Sequence, residues 1–225
     1  MTQKLFKSRQ HAGVLLAEEL KKFKNRTDIV VVAIPRGGVP VGYAVAQALG
    51  APLDLCIVRK LGVPGHEELA MGAIASGGSK TYNNSVIQSY GITPETIKRV
   101  IAREQQELVR RETLYKGSPN TLQCEGKSVI LIDDGIATGA SIRAAYEALK
   151  EHQASQVIIA VPVAPPETCQ ALKTQYGEDA CICYATPKRF EGVGEWYEDF
   201  HQLEDKEVTE FIAKRSDEIA KRKSP

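Results

Sequence analysis

The chain has 225 residues, 43% of them hydrophobic and 25% charged, the make-up of a globular domain rather than a disordered or fibrous chain. Its 29 basic and 28 acidic residues leave a net charge of +1, so no global basic excess argues for a nucleic-acid partner. No apolar run approaches the roughly 18 residues that would span a membrane, and the start, MTQKLFKSRQHAG, lacks the apolar core of a signal peptide.

In chain order, the first periodic segment covers about 9–23, where Leu16, Leu20 and Phe23 share a face and predict an N-terminal helix. IVVVAI (29–34) reads as a strand. Val41, Ala44, Val45, Ala48 and Leu49 then form one helical stripe that Gly50 stops. LDLCIV (53–58) reads as a second strand. Some seventy residues then break the alternation. Within them, AMGAIASGGSKTYNNSVIQ (70–88) predicts short strands about a Gly-Gly turn. TPETIKRVIAREQQELVRRETLY (93–115) predicts a long charged helix with Thr93 as N-cap and Pro94 in the first turn. This stretch, about 65–120, is expected to be a flap inserted over one end of the sheet. The arginines of its helix, Arg103, Arg110 and Arg111, are accounted for by surface ion pairs with Glu104 and Glu107.

SVILID (128–133), QVIIAV (156–161) and CICYA (181–185) supply three more strands, and Ile142, Ala145, Tyr146 and Leu149 carry helical spacing between the first two of these. The runs are continuous rather than alternating, as in parallel strands buried on both faces. Strand–helix alternation implies one domain over 1–202, an α/β fold with a doubly wound, mostly parallel sheet. From about 203, Val208, Phe211, Ile212 and Ile219 predict a C-terminal helix, with KRKSP fraying. The five cysteines include no C-x-x-C pair. They read as buried thiols, with Cys181 and Cys183 on one face of the last strand, and imply a reducing, cytoplasmic setting.

One stretch carries chemistry. VILIDDGIATGAS (129–141) runs four apolar residues into two carboxylates and then into a loop of small residues. In a parallel sheet, ligands gather beyond the carboxyl ends of the strands, where Asp133 and Asp134 fall. Adjacent carboxylates accept hydrogen bonds from a vicinal diol, or help to hold a hydrated divalent cation. The amides at the start of the following helix, with the Thr138 and Ser141 hydroxyls, suit a phosphate. A diol and a phosphate at that separation describe a ribose 5-phosphate. No G-x-x-x-x-G-K-[ST] occurs, so this is not the nucleotide P-loop.

The string resembles the phosphoribosyl-pyrophosphate (PRPP) signature of type I phosphoribosyltransferases. The resemblance implies that Asp133 and Asp134 hold the ribose hydroxyls while Ala137, Thr138, Gly139, Ala140 and Ser141 cradle the 5-phosphate. It implies Mg²⁺ as cofactor, reaching the two acids through water. Gly135 departs from the pattern, since the family usually has an apolar side chain there. Ala137 stands where 6-oxopurine members carry an acid, whereas adenine-type members share the ATG run; Ala137 cannot move a proton.

The first strand turns into its helix through IPRGGVPVG (34–42), where Gly37 and Gly38 let an anion approach the backbone and Arg36 adds a charge-assisted contact. By resemblance this loop holds pyrophosphate, which places Arg36 beside Asp133 and Asp134 among the catalytic candidates. Arg59 and Lys60 leave the second strand toward the same phosphates, the alternative being a pair of solvated cations. RKLGVPGHEELAMGA (59–73), with PRGGVPVG, resembles a widespread subgroup of predicted phosphoribosyltransferases over about residues 9–202. Ile136, Phe190, Trp196 and Tyr197 are candidates for covering a base, the last three from KRFEGVGEWYEDF (188–200). Packing of the tail is the alternative for these three. His66, Glu67 and Glu68 offer proton transfer from the flap, against a solvated acidic turn.

The expected function is therefore transfer of a phosphoribosyl group from PRPP to a nucleobase-like acceptor, with no nucleic acid or membrane involved. Dimerisation is common in the family and is carried over as an expectation. A non-catalytic PRPP sensor on the same fold, or a PRPP-binding module serving another enzyme, are the rivals.

Overall fold

The computed structural model of the chain describes residues 4–118 and 122–223. Ser8 opens the first helix, its hydroxyl accepting from the His11 amide, and α1 (Arg9–Glu19) buries Leu16 and Ala17. A short 3-10 turn at Lys21–Phe23 completes the expected N-terminal helix. Strand β1 (Ile29–Ala33) leads into α2 (Gly38–Leu49), which ends on left-handed Gly50. Then comes the short β2 (Leu53–Leu55).

The flap starts earlier than its sequence pattern suggested. Val58 does not extend β2 but opens β3 (Val58–Val63), which pairs antiparallel with β4 (His66–Ala75). After the Gly-Gly turn come β5 (Lys80–Tyr82), α3 (Asn84–Ser89) and α4 (Pro94–Lys116), the last capped by the Thr93 hydroxyl as predicted. The core resumes with β6 (Ser128–Ile132), α5 (Ala140–Glu151), β7 (Gln156–Val163), α6 (Pro166–Tyr176) and β8 (Cys181–Ala185). Helix α7 (Asp205–Lys223) closes the described chain. KRKSP is expected to fray from its first residue, but the helix continues through Lys223, and 224–225 lie outside the described residues.

The main sheet has the order β2-β1-β6-β7-β8 with every pair parallel. β3, β4 and β5 form a separate antiparallel sheet. Every residue of β1 and β6 is buried. Val30, Val32, Val129 and Leu131 enter one core cluster, while Ile29, Val31, Ile130 and Ile132 enter another. Two apolar layers flank the sheet, which is why its strands read as unbroken apolar runs. A third cluster joins the flap to β2, α2 and α7, and a fourth ties Phe6 to Trp196 and Tyr197.

The reading of the cysteines needs correction. Cys169 of α6 and Cys183 of β8 form a disulfide, and the Cys181 sulfur lies 3.9 Å from that of Cys183. The alternation of β8 does put both of its cysteines on one face, but that face meets α6, which brings up the distant Cys169. Cys56, Cys124 and Cys181 are buried free thiols. Among the described residues no helix is long and apolar enough to cross a membrane.

Candidate active site

The strand order reverses between β1 and β6: from β1 the chain passes to β2 on one side, while β6 and its successors lie on the other. Such a switch point opens a crevice between the loops at the carboxyl ends of the two strands. Those loops are 34–37 and 133–139, the two that the sequence singled out. They are in close contact. A Cβ on Gly37 would collide with the Asp134 carboxylate, and one on Gly38 would lie 2.9 Å from the Ile132 carbonyl oxygen. Only glycine lets the first loop pass so near the second.

The two carboxylates face different ways. The Asp133 side chain borders a large cleft of about 1040 Å³. Its Oδ1 accepts from the Asp134 amide at 2.9 Å. Asp134 turns instead toward α1, where Arg9 Nε donates to its Oδ2 at 2.7 Å, with the two side chains only 10% and 14% exposed. Burial pushes the Asp133 carboxyl well above the usual range, and the neighbouring Asp134 charge adds to the effect. Burial raises Asp134 too, against the hydrogen bond and charge of Arg9.

Beyond Gly139, α5 begins with amides that have no helical partner. The loop before it is held from behind. Thr168 of α6 donates to the Ala137 carbonyl at 2.9 Å, and Arg143, itself bonded to Gln175, donates to the Thr138 carbonyl at 2.8 Å. Because a trans peptide sets N–H opposite C=O, these contacts point the amides of Thr138 and Gly139 away from their donors. Asp133 and the run Ala137–Ser141 all border the cleft, whose opposite wall is the flap, including Lys60 of β3, Tyr82 of β5 and Asn84 of α3.

Not every candidate arrives there. Lys60 lines the cleft with its ammonium on the Glu68 carbonyl and carboxylate, at 3.1 and 3.6 Å. Arg59 is drawn away to Glu104 of α4 (Nε to Oε2, 2.9 Å). Arg36 lies outside the cleft wall, 3.8 Å from Asp205 at the start of α7. Ile136 borders the cleft yet is buried in the core. Trp196 and Tyr197 pack against Phe6 in the fourth cluster, with Phe190 beside them, instead of lining the cleft. The Tyr197 hydroxyl donates to the Asp134 carbonyl at 2.5 Å, so this aromatic braces the acid loop. Glu68 borders the cleft, Glu67 accepts from the Gly65 amide, and the exposed His66 ring meets Tyr90 edge-on.

Residues 3–182 match the phosphoribosyl transferase domain family. The chain belongs to that family. Two Mycobacterium tuberculosis proteins, named "Putative phosphoribosyl transferase MT0597" and "Putative phosphoribosyl transferase Rv0571c", are each 38% identical to it over 209 residues, 93% of this chain and 46% of theirs. The chain thus spans about half the length of these curated relatives. The crystal structure of TT1426 from Thermus thermophilus is similar at 35% identity and a TM-score of 0.78, covering 94% of this chain and 99% of that one. The match to the phosphoribosyl transferase domain ends within β8, so the segment carrying Val193, Tyr197 and Asp205 lies beyond it.

Two contacts at the candidate site of this phosphoribosyl transferase domain had no signal in the sequence. Arg9 is 125 residues from Asp134, and no motif spacing joins them. Val193 explains the departure at Gly135: a Cβ there would sit 2.6 Å from Val193 Cγ1. The apolar side chain expected at 135 is supplied from the tail instead.

Proposed function

We propose that the domain binds PRPP and transfers its phosphoribosyl group to a nitrogenous, nucleobase-like acceptor, releasing pyrophosphate. The observation that carries this reading is the junction at the switch point. There a glycine loop passes against the Asp133–Asp134 turn, and Asp133 and the amino end of α5 border one cleft. The 5-phosphate would take the amides of 138–141, Asp133 would accept from the ribose diol, and pyrophosphate would lie along Arg36–Gly38.

In the reaction the bond from C1 to the pyrophosphate oxygen breaks and one from the acceptor nitrogen to C1 forms. The ribose carries oxocarbenium character between the two. The chain's task is to hold the reactants in line and to meet the charge that gathers on the departing pyrophosphate. Lys60 brings a cation to the flap wall, and closure of that wall would exclude water from C1.

Magnesium fits as a companion of the substrate. Among the described residues the only group of three or more acidic, histidine or cysteine ligands is the cysteine cluster at 169, 181 and 183. With Asp134 engaged by Arg9, Asp133 is the acid left toward the cleft. One hard oxygen donor is what Mg²⁺ accepts when phosphates supply the rest. The ion would screen the pyrophosphate charge.

The test is pyrophosphate release from Mg–PRPP across a panel of purines, pyrimidines, nicotinate-like acids and simple amines. Acceptor-dependent release supports transfer; PRPP binding without turnover would replace it with a sensor or a binding module. Asp133→Asn should weaken Mg–PRPP binding by at least about tenfold while leaving the melting temperature in place. Unchanged affinity in the folded variant would remove Asp133 from the site.

A further inference from the structure

The Asp134 carboxylate is pressed against Gly37, in the middle of the loop assigned to an anion. A bare negative charge at that position would repel pyrophosphate. Arg9 answers it directly, with Nε on Oδ2 at 2.7 Å. Arg9 is also firmly fixed. Its Nη1 donates to the His201 carbonyl at 2.9 Å, and its guanidinium lies over the Phe200 ring at 3.8 Å from the centroid. Three carboxylates border the loop, Asp133, Asp134 and Asp205, and two guanidiniums meet the last two of them, Arg9 on Asp134 and Arg36 on Asp205. Of the two guanidiniums Arg9 is the buried one, at 9% exposure.

We infer that Arg9 is a positioning and charge-balancing residue for the anion loop: by neutralising Asp134 it makes the Arg36–Gly38 loop able to hold pyrophosphate. This rests on the reading of that loop as the pyrophosphate site. It divides the acid pair. Asp133 serves the ribose, and Asp134 organises the loop through its ion pair with α1. At the short separation involved, and with the effective dielectric of a partly buried site, the charge on Asp134 alters anion affinity by at least about tenfold.

The ion pair gives an experiment with opposed signs. Arg9→Met and Asp134→Asn both break the same contact. A purely structural bridge would make both variants lose affinity together. Charge balance predicts that they move in opposite directions. The probe is inorganic pyrophosphate with Mg²⁺, measured by calorimetry, since it lacks the ribose and so does not depend on diol contacts. Arg9→Met should weaken binding at least about tenfold, Asp134→Asn should tighten it, and the double variant should return to within about threefold of wild type. Ribose 5-phosphate binding to Arg9→Met should stay within about threefold, because its phosphate sits on the amino end of α5.

Arg9→Met leaves a buried carboxylate unpaired, so it is the variant at risk of misfolding. Asp134→Asn leaves the buried Arg9 cation without its carboxylate, though still on the His201 carbonyl and over the Phe200 ring, and the double variant carries neither charge, so the order of affinity of these two in folded protein tests the idea. Loss of pyrophosphate affinity in Asp134→Asn, from folded protein, would overturn the inference. If wild type binds PRPP but neither free pyrophosphate nor these variants follow the predicted order, the inference fails and PRPP binding stands. If wild type binds no PRPP at all, the proposed function fails first and takes the inference with it.

Discussion

Position 135 has no side chain because another one already fills the space. Val193 Cγ1 and Cγ2 would lie 2.6 and 2.9 Å from a Cβ there, and Val163 Cγ1 would lie 3.1 Å away. The two valines belong to different elements, so neither can simply retreat. Gly135→Ala should therefore cost about 1–3 kcal/mol through overpacking. Adding Val193→Ala should return most of that cost, although Val193→Ala alone is destabilising. Urea unfolding of the four proteins in this cycle measures the coupling, and additive losses would show that the two positions do not compete for one space. The same residues explain what could be read from the sequence at this scale. That Asp133 and the run 137–141 would meet at one place was legible, because a strand end, a turn and a helix start are local patterns. Arg9 and Val193 were not, because their partners lie 125 and 58 residues away and nothing local requires them.

Among the elements, the central strands β1, β6 and β7 were legible because burial on both faces leaves continuous apolar runs, whereas the edge strand β8, expected to be buried on both faces too, buries only Cys181 fully and leaves Tyr184 exposed. The second strand was read too long. LDLCIV is apolar throughout except for Asp54, but Asp54 is a buried anchor rather than a solvated residue. Its carboxylate takes the Lys116 ammonium at 2.7 Å and the amides of Leu55 and Gln123. That pair pins the carboxyl end of α4 to the sheet edge, and the chain leaves the sheet at Cys56 to build the flap. Helix α4 was placed correctly by its cap and its charge pattern. Its surface ion pairs carry a pH signature. Hydrogen bonds from Arg110 and Arg111 lower the Glu107 carboxyl to about 2. For an acid lowered from the usual 4.5, the stabilisation is present above that ordinary value and fades as pH falls toward about 2. With Glu107 30% exposed, solvent screening limits it to about 1 kcal/mol. Glu107→Gln should thus destabilise the protein at neutral pH and do so less at about pH 3.5. An equal penalty at both pH values would show that the loss is not electrostatic.

At the scale of the whole molecule, α7 joins what would otherwise be two parts. Its first residue, Asp205, meets Arg36 of the loop after β1, and Tyr115 and Arg110 of the flap helix. Val208 packs in the core shared by the flap and the sheet edge. One turn from its end, Glu218 accepts from Tyr43 of α2. The apolar spacing of 208–219 revealed a helix, but not that Arg215 within it would be 1% exposed. Arg215 donates twice to the Ala51 carbonyl, at 3.0 and 2.8 Å, and its third nitrogen reaches Glu218 at 2.8 Å. A guanidinium buried in this way persists because each of its three nitrogens finds an acceptor. Arg215→Leu leaves the Ala51 carbonyl without those donors and Glu218 without its cation. The cost should be about 2–3 kcal/mol, a fall of roughly 5–10 °C in Tm for a domain of this size. These anchors lie at the far side of α2 from the cleft, so Mg–PRPP affinity below the transition should change less than about twofold. A larger change would mean that α7 is a mechanical link rather than a brace: displaced from Ala51, it would carry Asp205 away from Arg36 and alter the loop on which pyrophosphate is proposed to rest.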